Sequence, residues 1–155
     1  MIASMSVAIA FLHHLAAFLV FAALVLELVL IKGELTLWSA RKLLLYDMIY
    51  GIAAAVLVVA GLLRVFLFEK GAHYYFYSAP FIVKLSLFAI VGLISIVPTR
   101  VFLSWRVGLK RGEVPVLDGG SRRRIAALVH AELTGIALVI LFAVLMAKGF
   151  RYFGK

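Results

Sequence analysis

The chain has 155 residues, of which 66% are hydrophobic and only 15% are charged, whereas an ordinary soluble domain has roughly 45–50% apolar and about 25% charged residues. So few charges cannot cover the surface of a water-soluble globule of this size, and that class of protein is excluded. The absence of cysteine excludes disulfides, zinc–thiolate sites and iron–sulfur centres, and the net charge of +9 has to be explained by where the basic residues fall.

Four apolar blocks follow one another along the chain, over residues 4–31, 46–68, 80–103 and 125–147. Each is long enough to cross a hydrocarbon core of ~30 Å as a helix, and a helix satisfies its own backbone hydrogen bonds in lipid. The alternating pattern of membrane β-strands is absent. The first block lacks the basic leader and the short apolar core of a cleavable signal. We therefore predict an all-α, integral membrane four-helix bundle, with residues 1–155 as a single transmembrane domain.

Basic residues are concentrated in the connections at one end of this bundle. The 32–45 and 104–124 connections hold nine Lys and Arg residues, against four in the 69–79 connection and the C-terminal stretch together. Because excess positive charge marks cytoplasmic loops, this predicts a multi-pass protein of the bacterial inner membrane with both termini outside. The 104–124 connection, which contains Pro115, Gly119 and Gly120 and ends in GGSRRR, is predicted to be the most flexible part of the chain. No soluble module accompanies the charge, so nucleic acid is not an expected partner.

Ionisable side chains within membrane spans are costly, so each one marks a candidate site. In the predicted bundle they fall into two layers. The layer toward the outer side holds His13, His14, Arg64 and Lys84. The layer toward the inner side holds Glu27, Asp47, Arg100, His130 and Glu132.

Helical spacing gives each span one face that combines polar and small residues. In the first three spans this face carries His13, Ala16, Ala17, Val20 and Glu27; then Tyr50, Ala54, Leu57, Gly61 and Arg64; then Lys84, Phe88, Val91, Ser95 and Pro98. In the fourth span it carries His130, Thr134, Ala137, Leu141 and Lys148. We expect these faces to meet inside the bundle, because small residues let helices approach closely. His14 is about 100° round the helix from His13, so only one of the pair faces a given ligand.

The outer layer has the residue types of a haem site. Imidazole is a common ligand of haem iron, Lys84 supplies a second ligand if burial frees its amine, and Arg64 matches propionate carboxylates. Plainer interpretations stand beside this one. Either histidine hydrogen-bonds a neighbouring helix, Lys84 and Arg64 extend to the membrane surface, Glu27 and Arg100 form an ion pair, and His130 makes a polar contact between helices.

Longer stretches, beginning LHHLAAF at Leu12, ARKLLLYDMIYG at Ala40 and PFIVKLSL at Pro80, resemble an uncharacterised family of small bacterial four-span inner-membrane proteins, known only as a domain of unknown function. Shorter stretches within them, LHH at 12–14, ARKLLLY at 40–46 and VKLSL at 83–87, are distantly similar to the HemJ-type protoporphyrinogen oxidases. That second resemblance implies a b-type haem with its iron held by His13 or His14 and by Lys84, and an oxidoreductase activity.

Two functions of other classes stay open from the sequence. One is a non-enzymatic small membrane subunit or assembly factor, whose expected partner is a homo-oligomer or a larger membrane complex. The haem hypothesis instead expects a porphyrin ligand, and every hypothesis places the chain in the lipid bilayer. The other is a proton relay or transporter that uses Glu27, Asp47, His130 and Glu132. The sequence shows no inverted repeats or broken helices, which argues against a transporter.

Overall fold

The computed structural model describes residues 2–68 and 72–150. In these ranges the α-helices are α1 Ile2–Lys32, α2 Leu37–Leu63, α3 Ala72–Phe76, α4 Ala79–Ser104, α5 Arg106–Lys110 and α6 Gly119–Ala147. A π-helical turn, Arg64–Phe68, directly continues α2. Among the described residues, α1, α2 with this turn, α4 with α5, and α6 are long and apolar enough to cross a membrane. The predicted all-α, four-helix membrane bundle is confirmed.

The start of α2 shows how a local signal extends a membrane span. α2 begins at Leu37 rather than at residue 46, because Thr36 caps it. The Thr36 hydroxyl accepts a hydrogen bond from the Ser39 amide (3.2 Å), and the Ser39 hydroxyl accepts one from the Thr36 amide (2.7 Å). This reciprocal capping box satisfies amides that a helix start leaves without partners. The predicted 32–45 connection is therefore shortened to residues 33–36.

α6 also begins earlier than predicted, at Gly119 rather than at residue 125, so GGSRRR belongs to the helix and not to the connection before it. The Asp118 carboxylate accepts hydrogen bonds from the amides of Gly120 (2.8 Å) and Ser121 (2.9 Å). The hydrogen bonds from Ser121 lower the pKa of the Asp118 carboxyl below its ordinary value. A carboxylate at this position also matches the positive end of the helix dipole. The three arginines of the stretch consequently lie on the first turns of α6.

The spans pack mainly as two helix pairs, α1 with α2 and α4 with α6, and α1 also contacts α6. Val20, Leu24, Leu43, Phe102 and Val129 are fully buried between them. Many large apolar side chains on the other faces of the helices are exposed, as lipid contact requires. The hydrophobic core of the bundle is therefore built from one narrow face of each span.

Within the α4–α6 pair, the two helices approach most tightly at Gly135. A Cβ atom at this position would lie 2.4 Å from Cγ2 of Val91, a separation that real side chains do not tolerate. Small residues allow such approaches between membrane helices. Glycine at position 135 thus sets the spacing between α4 and α6.

One arginine joins the first span to the last, at the end of the bundle that carries the α1–α2 and α4–α6 connections, here called the basic end. Arg122 Nε donates to the carbonyl of Ile31 (2.8 Å), and its Nη2 donates to the carbonyls of Lys32 (2.7 Å) and Gly33. The last carbonyls of a helix have no partners within the helix. Arg122 supplies hydrogen-bond donors to these carbonyls, and it fixes the end of α1 against the start of α6.

Candidate functional site

Two glutamates from different helix pairs lie at the centre of the bundle. Glu27 of α1 and Glu132 of α6 are each only 1% exposed. Within residues 2–68 and 72–150, the Oε1 atom of each has no hydrogen-bond partner. Buried polar atoms are normally hydrogen-bonded, so two such exceptions in one core call for a physical explanation.

A third acid, Asp47 of α2, is buried beside these two glutamates. It accepts a hydrogen bond of 2.6 Å from the hydroxyl of Thr99, which lies on α4. The charges of Asp47 and Glu132 both act on Glu27, and that of Asp47 acts on Glu132. The three carboxyl groups therefore form one electrostatically coupled set, here called the carboxyl cluster.

Hydroxyl side chains complete the surroundings of the carboxyl cluster. Tyr50 is buried one turn after Asp47 on α2, and its phenol is close enough to the Glu132 carboxyl and to Ser95 to interact electrostatically with them. Tyr50, Ser95 and Thr99 are not among the site residues predicted from the sequence. The available signal was their spacing, since residues three or four apart share one helix face. All four membrane spans thus contribute a polar side chain to this core.

Two residues predicted for the inner layer do not join the carboxyl cluster. Arg100 and His130 are both exposed on the bundle surface. The face predicted for the fourth span, which includes His130, Thr134 and Leu141, is likewise exposed. α6 instead turns Val129, Glu132 and Ile136 inward. The expected ion pair of Glu27 with Arg100 is excluded, because Glu27 is buried among acids and Arg100 is on the surface.

In the outer layer, the two adjacent histidines have different environments. His13 is half-buried, and its Nδ1–H donates to the carbonyl of Leu57 on α2 at 3.2 Å. Its ring packs against Gly61, where a Cβ would lie 3.2 Å from the His13 Cε1 atom. His14 is exposed, and its Nδ1–H donates to the carbonyl of Ala10 in its own helix at 2.6 Å. Only His13 therefore faces the neighbouring span.

Arg64 and Lys84 are both half-buried, and the charge of each acts on His13. The Lys84 ammonium lies 5.4 Å from the centre of the Phe81 ring, a separation at which a cation is attracted to an aromatic face. His13, Arg64 and Lys84 are therefore close enough to interact electrostatically. His14 belongs to the lipid-facing surface instead.

The carboxyl cluster does not have the side-chain arrangement of a metal site. Across the described part of the chain, no three His, Asp or Glu side chains are grouped so as to hold a metal ion. The carboxyl cluster is thus a set of coupled acids with hydroxyl neighbours. Such a set can exchange protons and hydrogen bonds.

One family model matches the chain over residues 5–151, and the family is described as Predicted membrane protein (DUF2214). Comparisons with curated proteins and with solved structures find no match. The resemblance to an uncharacterised membrane family is confirmed, whereas the similarity to HemJ-type oxidases stays a prediction.

Proposed function

We propose that this chain, which belongs to the DUF2214 family of membrane proteins, relays protons within the bilayer through Glu27, Asp47 and Glu132. The observation that carries the proposal is the pair of buried carboxyl oxygens, one on Glu27 and one on Glu132, that nothing in the described residues satisfies. Ionisable residues inside membranes are expensive and commonly belong to ion pathways or proton relays.

These two buried oxygens reduce the stability of the fold. Leaving one buried polar group without a partner costs about 1–3 kcal/mol, and more when the group is charged. A carboxyl group in such a place is accommodated either as the neutral acid or as a carboxylate matched by a cation from outside the chain. Among the described residues, no three His, Asp or Glu side chains are grouped as metal ligands, and we propose the proton as the cation.

The hydroxyl neighbours give the cluster a route for proton exchange. Tyr50 is buried close to the Glu132 carboxyl and to Ser95, and a hydroxyl can donate one hydrogen bond while it accepts another. The Thr99 hydroxyl holds one Asp47 oxygen. Thr99 therefore connects the carboxyl cluster to α4, and in this proposal Tyr50 takes the place of the surface residue His130 among the relay residues predicted from the sequence.

Proton flux into liposomes tests the proposal. Purified protein is reconstituted with a pH-sensitive dye trapped inside, and a potassium diffusion potential drives proton entry. We expect flux well above that of protein-free liposomes, and flux at the protein-free level for Glu27→Gln and for Glu132→Gln, which keep the shape but lose the exchangeable proton. Glu34→Gln, a change at an exposed acid between α1 and α2, is the matched control and should retain full flux.

Two results would overturn the relay. One is wild-type flux no faster than that of protein-free liposomes. The other is undiminished flux in both buried-glutamate variants. Thermal unfolding of each variant in detergent shows whether a loss of flux reflects unfolding.

As a second candidate we propose haem b binding in the outer layer. It is favoured by the hydrogen bond from His13 Nδ1–H to the Leu57 carbonyl, because such a bond fixes the tautomer and leaves Nε2 free to bind iron. Lys84 would be the second ligand and Arg64 the partner of the propionates. Bound haem would supply one-electron redox chemistry, including the HemJ-like oxidase activity implied by the resemblance.

An absorbance spectrum of the purified, haem-reconstituted protein tests the second candidate. We expect a Soret band that is lost in His13→Ala and kept in His14→Ala, since His14 is bonded within its own helix and faces outward. A protein that stays colourless after reconstitution excludes it.

Within the bacterial inner membrane, we propose that the basic end faces the cytoplasm and that both termini lie outside. The excess of Lys and Arg in the connections at that end supports this orientation. Reporter enzymes fused to the C-terminus, one active only outside the cytoplasm and one only inside, measure it directly.

A further inference from the structure

A groove opens at the basic end, between the last turn of α1 and the first turns of α6. Its volume is about 770 Å³, and the residues that line it include Ile31, Lys32, Arg122, Arg123, Ala126 and His130. Lys32 closes the α1 span and Gly119 opens the α6 span. The groove therefore lies at one end of the membrane-spanning helices.

The charged residues that line the groove are all basic. No acidic residue lines it within the described part of the chain. The Arg122 guanidinium is already bonded to carbonyls at the end of α1, whereas Lys32 and Arg123 are both exposed at its mouth. Two cationic side chains are therefore available to an anion from outside the protein.

The groove also has a direction. Arg123 and His130 are seven residues apart on α6, which separates them by about 10 Å along the helix axis. Ala126 and Ala127 lie between them, so this part of the groove is lined by small apolar side chains. A ligand that matches the groove has an anionic group at the Lys32 and Arg123 end and a hydrogen-bond acceptor near His130. Its remaining part is apolar.

We propose that this groove binds the headgroup of an anionic phospholipid, with its phosphate between Lys32 and Arg123 and its ester region toward His130. Basic pockets between membrane helices are suited to such headgroups. A second groove at the same end, about 310 Å³ and lined by Arg41, Arg106 and Lys110 among others, has the same combination of basic and apolar side chains. The proposal also gives a role to His130, which the fold leaves outside the carboxyl cluster.

Lipid titration followed by native mass spectrometry tests this site on the full chain. Dioleoylphosphatidylglycerol is the probe, and the dissociation constant of the first bound lipid is measured for wild type and for Lys32→Gln/Arg123→Gln. Because each basic residue near a membrane surface adds about 1 kcal/mol of attraction to an anionic lipid, the double variant should bind about 25-fold more weakly. Arg123→Gln alone should bind about fivefold more weakly by the same constant.

Arg124→Gln is the matched control, because Arg124 is the next residue on the same helix, is also exposed and does not line either groove. Its affinity should stay close to that of wild type. Equal affinity in wild type and the double variant overturns the proposal, as does equally tight binding of dioleoylphosphatidylcholine. Glycerol 3-phosphate that competes as well as the whole lipid would mean a site for free phosphate esters, and this also overturns it.

Discussion

The close approach of α4 and α6 at Gly135 makes one substitution unusually informative. In Gly135→Ala the new Cβ would lie 2.4 Å from Val91 Cγ2, whereas carbon atoms in favourable contact are about 3.5–4.0 Å apart. The helices or the valine must therefore yield by more than about 1 Å. Val91 is 3% exposed, and its branched side chain has few rotamers into which it can move. Overpacking of this kind costs about 1–3 kcal/mol, so the free energy of unfolding should fall by that amount.

The assay is reversible unfolding by sodium dodecyl sulfate in mixed micelles, followed by far-ultraviolet circular dichroism. Gly92→Ala is the control on α4, because a Cβ at Gly92 meets no atom within 4 Å. That variant should change the free energy of unfolding by no more than about 1 kcal/mol.

A second substitution locates the cause. Val91→Ala removes the methyl group that the new Cβ would strike, so Gly135→Ala should cost less in the Val91→Ala background. The expected coupling energy is about 0.5–3 kcal/mol. Wild-type stability in Gly135→Ala, or costs that simply add in the double variant, would show that the glycine does not set the helix spacing.

Three further predictions concern the contacts that join the helices and cap one of them. Arg122→Gln removes charge-assisted hydrogen bonds to the end of α1 and should lower the free energy of unfolding by about 1–3 kcal/mol in the same micelle assay. Thr99→Val leaves an Asp47 oxygen without its donor and should cost about 1–3 kcal/mol, whereas Thr99→Ser should restore most of the loss. Because hydrogen bonds from Ser121 lower the pKa of the Asp118 carboxyl from its ordinary 3.8, capping of α6 is fully present above that pH. Capping is lost as the pH falls through the lowered pKa; nuclear magnetic resonance titration of the Ser121 amide should show this transition, and Asp118→Asn should abolish it.

The sequence predicts the inward faces of the first three spans well because each has one stripe of small and polar residues. On α1, Ala16, Val20 and Glu27 are buried, as that stripe requires. On α2, Tyr50 and Leu57 are buried as well. A stripe that differs in size and polarity from the rest of its helix fixes which face turns inward.

For the fourth span the predicted inward face is wrong, and the reason is physical. Its apolar residues surround the helix, so hydropathy alone does not select a face, and the polar stripe through His130 is the exposed one. The rotation of α6 is determined by partners on other helices, namely the contact of Gly135 with Val91 and the reach of Tyr50 toward Glu132. Neither contact can be derived from spacing within one helix, and for this reason the sequence places His130 on the inward face of its span.

The bridge that Arg122 makes to the end of α1 has a consequence for the order of biogenesis. α1 and α2 are synthesised first and contact one another extensively, so this hairpin can form before the rest of the chain leaves the ribosome. The carbonyls at the end of α1 stay without their guanidinium partner until the residues of α6 emerge. Glu27 likewise meets Glu132 only at that stage. Of the four spans, the one synthesised last therefore closes the bundle, and a nascent chain that stops before Gly119 would lack both Arg122 and Glu132.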